Sequence, residues 1–134
     1  MSPANPASGG NDELLGAGST YELPASTTSA RLARELVRSS LSGFDITVIE
    51  VAELLVSELV TNAVAHAQSA PVMRIDVSGQ AITVAVQDDA PGPVTVQDAA
   101  DDAPGGRGLL LVDSLAASWG WAPADVGKRV WFTL

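Results

Sequence analysis

The sequence predicts an α+β domain, and three observations carry that expectation. Helical periodicity runs from about Ala30 to Leu41, and again from Asp45 to His66 or Ala67. Two runs of strand-forming residues flank Ser78-Gly79-Gln80, a hairpin signal. A third apolar helix, Leu109 to Ala116, follows a glycine-rich loop and precedes two closing strands. At 134 residues the chain can bury one sizeable core but not two.

Taken in order, residues 1–18 are rich in Ser, Pro, Gly, Ala and Asn and read as a loose tail before a domain at 19–134. The tail lacks the basic-then-apolar pattern of a secretory leader. Tyr21-Glu22-Leu23 is a short strand closed by Pro24. Thr28 or Ser29 is placed to cap the first helix, with Leu32, Leu36, Val37 and Leu41 on one face. Arg31, Arg34, Glu35 and Arg38 fall on its solvent side. Ser42-Gly43 ends that helix and Asp45 caps the next.

Strands follow at Val72 to Val77 and Ala81 to Gln87. In the second of these Ile82, Val84 and Val86 share one face. Asp88 has their parity, so its carboxylate turns toward the core if the strand persists; Asp89 then faces solvent. From Asp89 to Gly106 there is almost nothing to bury, the mark of a functional or disordered loop. Trp119 to Ala122 and Arg129 to Leu134 read as strands, with Trp119, Trp121 and Trp131 spaced for packing within the sheet or core.

Composition removes several classes of function. Without cysteine there are no disulfides or thiolate metal sites, and a single His makes zinc an improbable cofactor. A net charge of −9 argues against nucleic acid and anionic membrane surfaces, while leaving room for a basic protein partner. Glu50, Glu53 and Glu58 interrupt the longest apolar stretch, so no segment spans a bilayer, and the expected location is the cytoplasm.

The chemistry concentrates on the second helix. Glu58, Thr61, Asn62, Ala65 and His66 stack along one side, while Val51, Leu54, Leu55, Leu59, Val60, Ala63 and Val64 cover most of the rest. Much of this helix is therefore expected to be buried, including a carboxylate and a carboxamide one turn apart. Such a pair needs either a structural hydrogen-bond network or a ligand. The rest of the chain favours the ligand.

Gly105-Gly106-Arg107-Gly108 runs into a helix amino terminus, which offers backbone N–H groups and a positive dipole end to phosphates. It is neither a Walker A loop nor a dinucleotide fingerprint. Asn62 supplies one neutral oxygen, which suits Mg²⁺ completed by water and phosphate. Glu58 is placed to serve as a general base, and an inward Asp88 to accept from an exocyclic amine such as that of adenine.

With these residues in view, the sequence resembles a known family. Glu58-Leu59-Val60-Thr61-Asn62-Ala63-Val64-Ala65-His66-Ala67 is similar to the N box of the ATP-binding superfamily of gyrase, a heat-shock chaperone, histidine kinases and mismatch-repair ATPases. Val86 to Pro93 is similar to its first glycine box, and Gly106-Arg107-Gly108-Leu109-Leu110-Leu111-Val112 to its second. The closing Trp119-Gly120-Trp121, Gly127-Lys128 and Val130-Trp131 resemble the actinobacterial branch related to anti-sigma-factor serine kinases. Lys128 stands where many relatives carry Thr, and Ala90 where the first box often has glycine.

The resemblance implies a two-layer α/β sandwich of the Bergerat type: a mixed, mostly antiparallel sheet with helices on one face and ATP beneath a lid. It implies Asn62 as Mg²⁺ ligand, Glu58 as catalytic base and Asp88 as reader of adenine. Gly92 would line the base pocket, with Gly106, Arg107, Gly108 and Leu109 beside the nucleotide. The implied activity is ATP-dependent protein serine/threonine phosphotransfer by an anti-sigma-factor regulator. Its implied partners are a sigma factor or an anti-sigma-factor antagonist, and it is often a homodimer. The alternative is a non-catalytic ATP-binding module that controls a protein partner.

Overall fold

A computed structural model describes residues 18–66, 70–92, 94 and 106–134. The element order is β1 (Ser19–Glu22), α1 (Ser29–Ser40), α2 (Ile46–His66), β2 (Val72–Ser78), β3 (Ala81–Asp88), α3 (Gly106–Leu115), β4 (Ser118–Pro123) and β5 (Lys128–Thr133). The strands form one sheet in the order β1-β2-β3-β5-β4. All four pairings are antiparallel, so the sheet is simpler than the mixed one expected. The α+β sandwich is otherwise as the sequence predicts.

Strand alternation builds the core. Met73, Ile75, Ile82, Val84, Val86, Val130 and Phe132 are buried and join one cluster with Val37, Leu55, Val56, Leu59, Val60 and Val112 from the helices. Phe132 is fully buried, and truncating such a residue to Ala typically costs about 3–5 kcal/mol. Helix α1 packs on β2, α2 on β3 and α3 on β4, so the helices lie over the sheet in their own sequence order.

Local chemistry sets the boundaries. The Asp45 carboxylate accepts the Thr47 N–H at 2.8 Å, capping α2 as expected. For α1 the expected cap fails. Thr28 makes no side-chain cap bond, and the Ser29 hydroxyl is buried and donates to the Pro24 carbonyl. The Ser26 hydroxyl accepts the Thr28 N–H instead. Two cations expected in solvent tie α1 to α2: Arg34 donates to Ser57 Oγ at 3.0 Å, and Arg38 to both Glu53 oxygens at 2.5 and 3.2 Å.

Helix α2 is less covered than its sequence implies. Ile49, Ala52, Leu55, Val56, Leu59, Val60 and Ala63 are buried, but Leu54 is 39% exposed. The hairpin turns at Gly79, whose φ of +61° at the first central position suits a two-residue reverse turn. β1 starts and ends earlier than expected, leaving Leu23 just past it and buried. Residues 1–17 of the expected tail lie outside the described part. Gly18 is described, and it packs against the Asp76 carboxylate.

Candidate functional site

Connectivity places the predicted residues at one end of the sheet. Five residues join His66 to Val72, and Val72 is paired with Gln87, next to Asp88. The carboxyl-terminal turns of α2, which carry Glu58 and Asn62, therefore end near the strand end that carries Asp88. Ser118 lies at the far end of the sheet, opposite Thr133, while Pro123 lies opposite Lys128. Helix α3 reaches that far end through its carboxyl terminus. Its 10 residues run back about 15 Å, bringing the Gly106 end toward Asp88.

Helix geometry fixes the flank. Glu53 and Ser57 face α1, and by periodicity Glu58 and Asn62 fall on a different flank of α2. With α2 lying between α1 and α3 over the sheet, that flank is the one toward α3. Both residues are half-buried rather than buried, and Thr61, Ala65 and His66 are exposed. The polar stripe therefore borders a solvent-accessible edge. A bound group can reach it without the helix opening.

Asp88 is buried at 6% exposure, on the core side that its parity predicts. Its carboxylate Oδ1 accepts the Ala90 N–H at 2.8 Å. Lys128, directly opposite across the β3–β5 ladder, donates to Oδ1 at 3.0 Å, Oδ2 at 3.2 Å and the Ala90 carbonyl at 3.3 Å. Both side chains are largely withdrawn from water. The sequence singled out Lys128 only as a departure, because cross-strand register with a distant strand is not visible locally. Asp89 is half-buried, where solvent was expected.

Two glycines shape this corner. Gly127 has φ +82°, and a Cβ there would lie 1.9 Å from the Asp88 carbonyl oxygen and 2.5 Å from Asp89 Cα. Only glycine lets β5 begin so close to the end of β3. A Cβ on Gly92 would come within 2.4 Å of the Trp121 ring. Gly92 thus packs closely against the six-membered ring of the Trp121 indole, four residues after the buried carboxylate. Trp119 is instead a core residue whose ring N–H donates to Asp113 at 2.8 Å.

Helix α3 starts at Gly106, three residues before the expected Leu109, so the second glycine box forms its first turn rather than a preceding loop. First-turn N–H groups have no intrahelical acceptor and remain available to a ligand. Leu109 is buried in the core beside Val112. The side chain of Arg107, and residues 93 and 95–105 of the long connection, lie outside the described part.

These residues fit an adenine nucleotide. A buried carboxylate answers an exocyclic amine, the Gly92–Trp121 surface answers a planar ring, and the first turn of α3 answers phosphate. Among the described residues no three His, Asp or Glu form a metal group, so a cation at Asn62 would complete its shell with phosphate and water. A depression of about 180 Å³ lies on the opposite sheet face, lined by Thr20, Val72, Arg74, Ala85, Gln87 and Arg129. It is below the ~300–1,000 Å³ usual for ligand pockets.

The fold is an α/β sandwich with a candidate nucleotide site at one end of its sheet. The family model described as "Histidine kinase-like ATPase domain" matches residues 23–134, and the chain belongs to that family. Membership implies ATP binding. No curated protein matches the chain. Among the described residues no helix is long and apolar enough to cross a membrane.

Proposed function

We propose that the domain binds ATP with Mg²⁺ and transfers its terminal phosphoryl group to a serine or threonine hydroxyl of a protein partner. The partner belongs to an anti-sigma-factor circuit: a sigma factor, an antagonist of the sigma–kinase complex, or both. The observation that carries the nucleotide reading is the buried Asp88 carboxylate four residues before Gly92, which packs against the Trp121 ring. Family membership supports it independently. The kinase and anti-sigma assignments rest on the box sequences. Homodimerisation and a cytoplasmic location belong to the same proposal.

In this reading Asp88 accepts from the adenine amine, and the amides of Gly106 and Gly108 face phosphate oxygens. Asn62 Oδ1 holds the cation, which supplies charge neutralisation on the phosphates when bound. Glu58 takes the proton of the acceptor hydroxyl as its oxygen bonds to phosphorus and the bridging bond to ADP breaks. Placement and charge, rather than covalent participation of the protein, lower the barrier.

Incubation with labelled ATP, Mg²⁺ and candidate partner proteins tests this. Glu58→Ala is expected to abolish transfer while largely sparing ATP binding, and Asn62→Ala to weaken both. Unchanged transfer in both variants would overturn the role assignments. ATP binding without transfer to any partner would favour the non-catalytic regulator.

A further inference from the structure

We propose that Lys128 is a base-contacting specificity residue: its ammonium donates to the ring nitrogen beside the exocyclic amine that Asp88 accepts. The inference rests on the ATP-binding reading and deepens it. An ammonium has three N–H donors and a carboxylate oxygen two acceptor positions. Among the described residues, Oδ1 of Asp88 is filled by Ala90 N–H and Lys128, while Oδ2 accepts from Lys128 alone. The two oxygens belong to one carboxylate, so one N–H of Lys128 serves both. A second N–H goes to the Ala90 carbonyl.

Among the described residues, what remains is one acceptor position on Oδ2 and one N–H on Nζ, on atoms 3.2 Å apart. That arrangement complements a ligand edge with an amine donor next to a ring-nitrogen acceptor, which is the edge adenine presents. A lysine serving only to neutralise a buried carboxylate would show no preference for the ring nitrogen. The ion pair holds donor and acceptor together through the Asp88–Lys128 register, which Gly127 permits. Lys128 thus adds a charged donor to a site otherwise reading the base through one carboxylate.

Editing the ligand tests this on the intact chain. Calorimetric affinities with Mg²⁺ are compared for ATP, for the analogue whose ring nitrogen beside the amine is replaced by C–H, and for purine riboside triphosphate, which lacks the amine. The C–H analogue is expected to bind the wild type about tenfold or more weaker than ATP, as for loss of a charge-assisted hydrogen bond. In Lys128→Met that difference is expected to vanish. Should Lys128→Met fail to fold, the wild-type comparison still decides.

Equal binding of ATP and the C–H analogue to the wild type overturns the inference. If purine riboside triphosphate is then still weaker, the role of Asp88 survives alone. A penalty that persists in Lys128→Met assigns the ring nitrogen to another group and also overturns it. Equal binding of all three removes base reading by either residue, and no ATP binding overturns the nucleotide reading itself.

Discussion

Among the described residues two carboxylates are buried, and they sit in opposite settings. Asp88 is 6% exposed and Asp76 4% exposed, each beside one cation. Asp76 lies on the outer sheet face, paired with Arg74 through Nε at 2.9 Å, with Gly18 pressed against its other oxygen. Among the described residues that Oδ1 has no hydrogen-bond partner. Asp88 lies at a strand end on the helix-covered face, with both oxygens engaged and a glycine–indole surface one loop away. Burial and a paired cation are common to both, so neither marks a ligand site. The distinction lies in what surrounds the pair: Asp76 has the Gly18 backbone packed against it, whereas Asp88 ends β3 at the same end of the sheet as the turns of α2 that carry Glu58 and Asn62.

Three substitutions sharpen that contrast. The largest effect is expected from Gly127→Ala, which forces a Cβ into the Asp88 backbone at positive φ. It should cost about 3 kcal/mol or more in denaturant unfolding and separate Asp88 from Lys128. A loss under about 1 kcal/mol would mean that the β3–β5 register is not held by that glycine.

Asp88→Asn comes next. It strips the charge from a buried pair, and an expected loss of about 3 kcal/mol should accompany loss of ATP binding by calorimetry. The smallest effect belongs to Asp76→Asn. One of its oxygens already lacks a partner, so the expected cost is about 1.5–3 kcal/mol with ATP affinity unchanged. If Asp76→Asn weakens ATP binding as much as Asp88→Asn, the contrast between the two faces fails.

The sequence disclosed the elements better than their meetings. Period-2 alternation put Ile82, Val84, Val86 and Asp88 on one face, and period-3.6 spacing put Glu58 and Asn62 one turn apart. Both signals are local. Arg74 and Asp76 stand two residues apart on one strand face, a local pattern that does not reveal the burial of Asp76. The Asp88–Lys128 pair was not readable, because it spans 40 positions and depends on β5 inserting between β3 and β4. The start of α3 is not legible in the sequence because glycine's weak helix propensity hides a helix that tertiary packing of Leu109 and Val112 sustains. The apolar pattern of α2 overstates its burial because an apolar Leu54 need not be covered.

Backbone amide chemical shifts, followed by NMR as ATP and Mg²⁺ are added to the full chain, test the central claim most directly. The account predicts saturable shifts at Asp88, Ala90, Gly92, Lys128, Asn62 and the first turn of α3, with Arg74 and Asp76 unmoved. Shifts confined to the Arg74–Asp76 face, or none at saturating ATP, would contradict it.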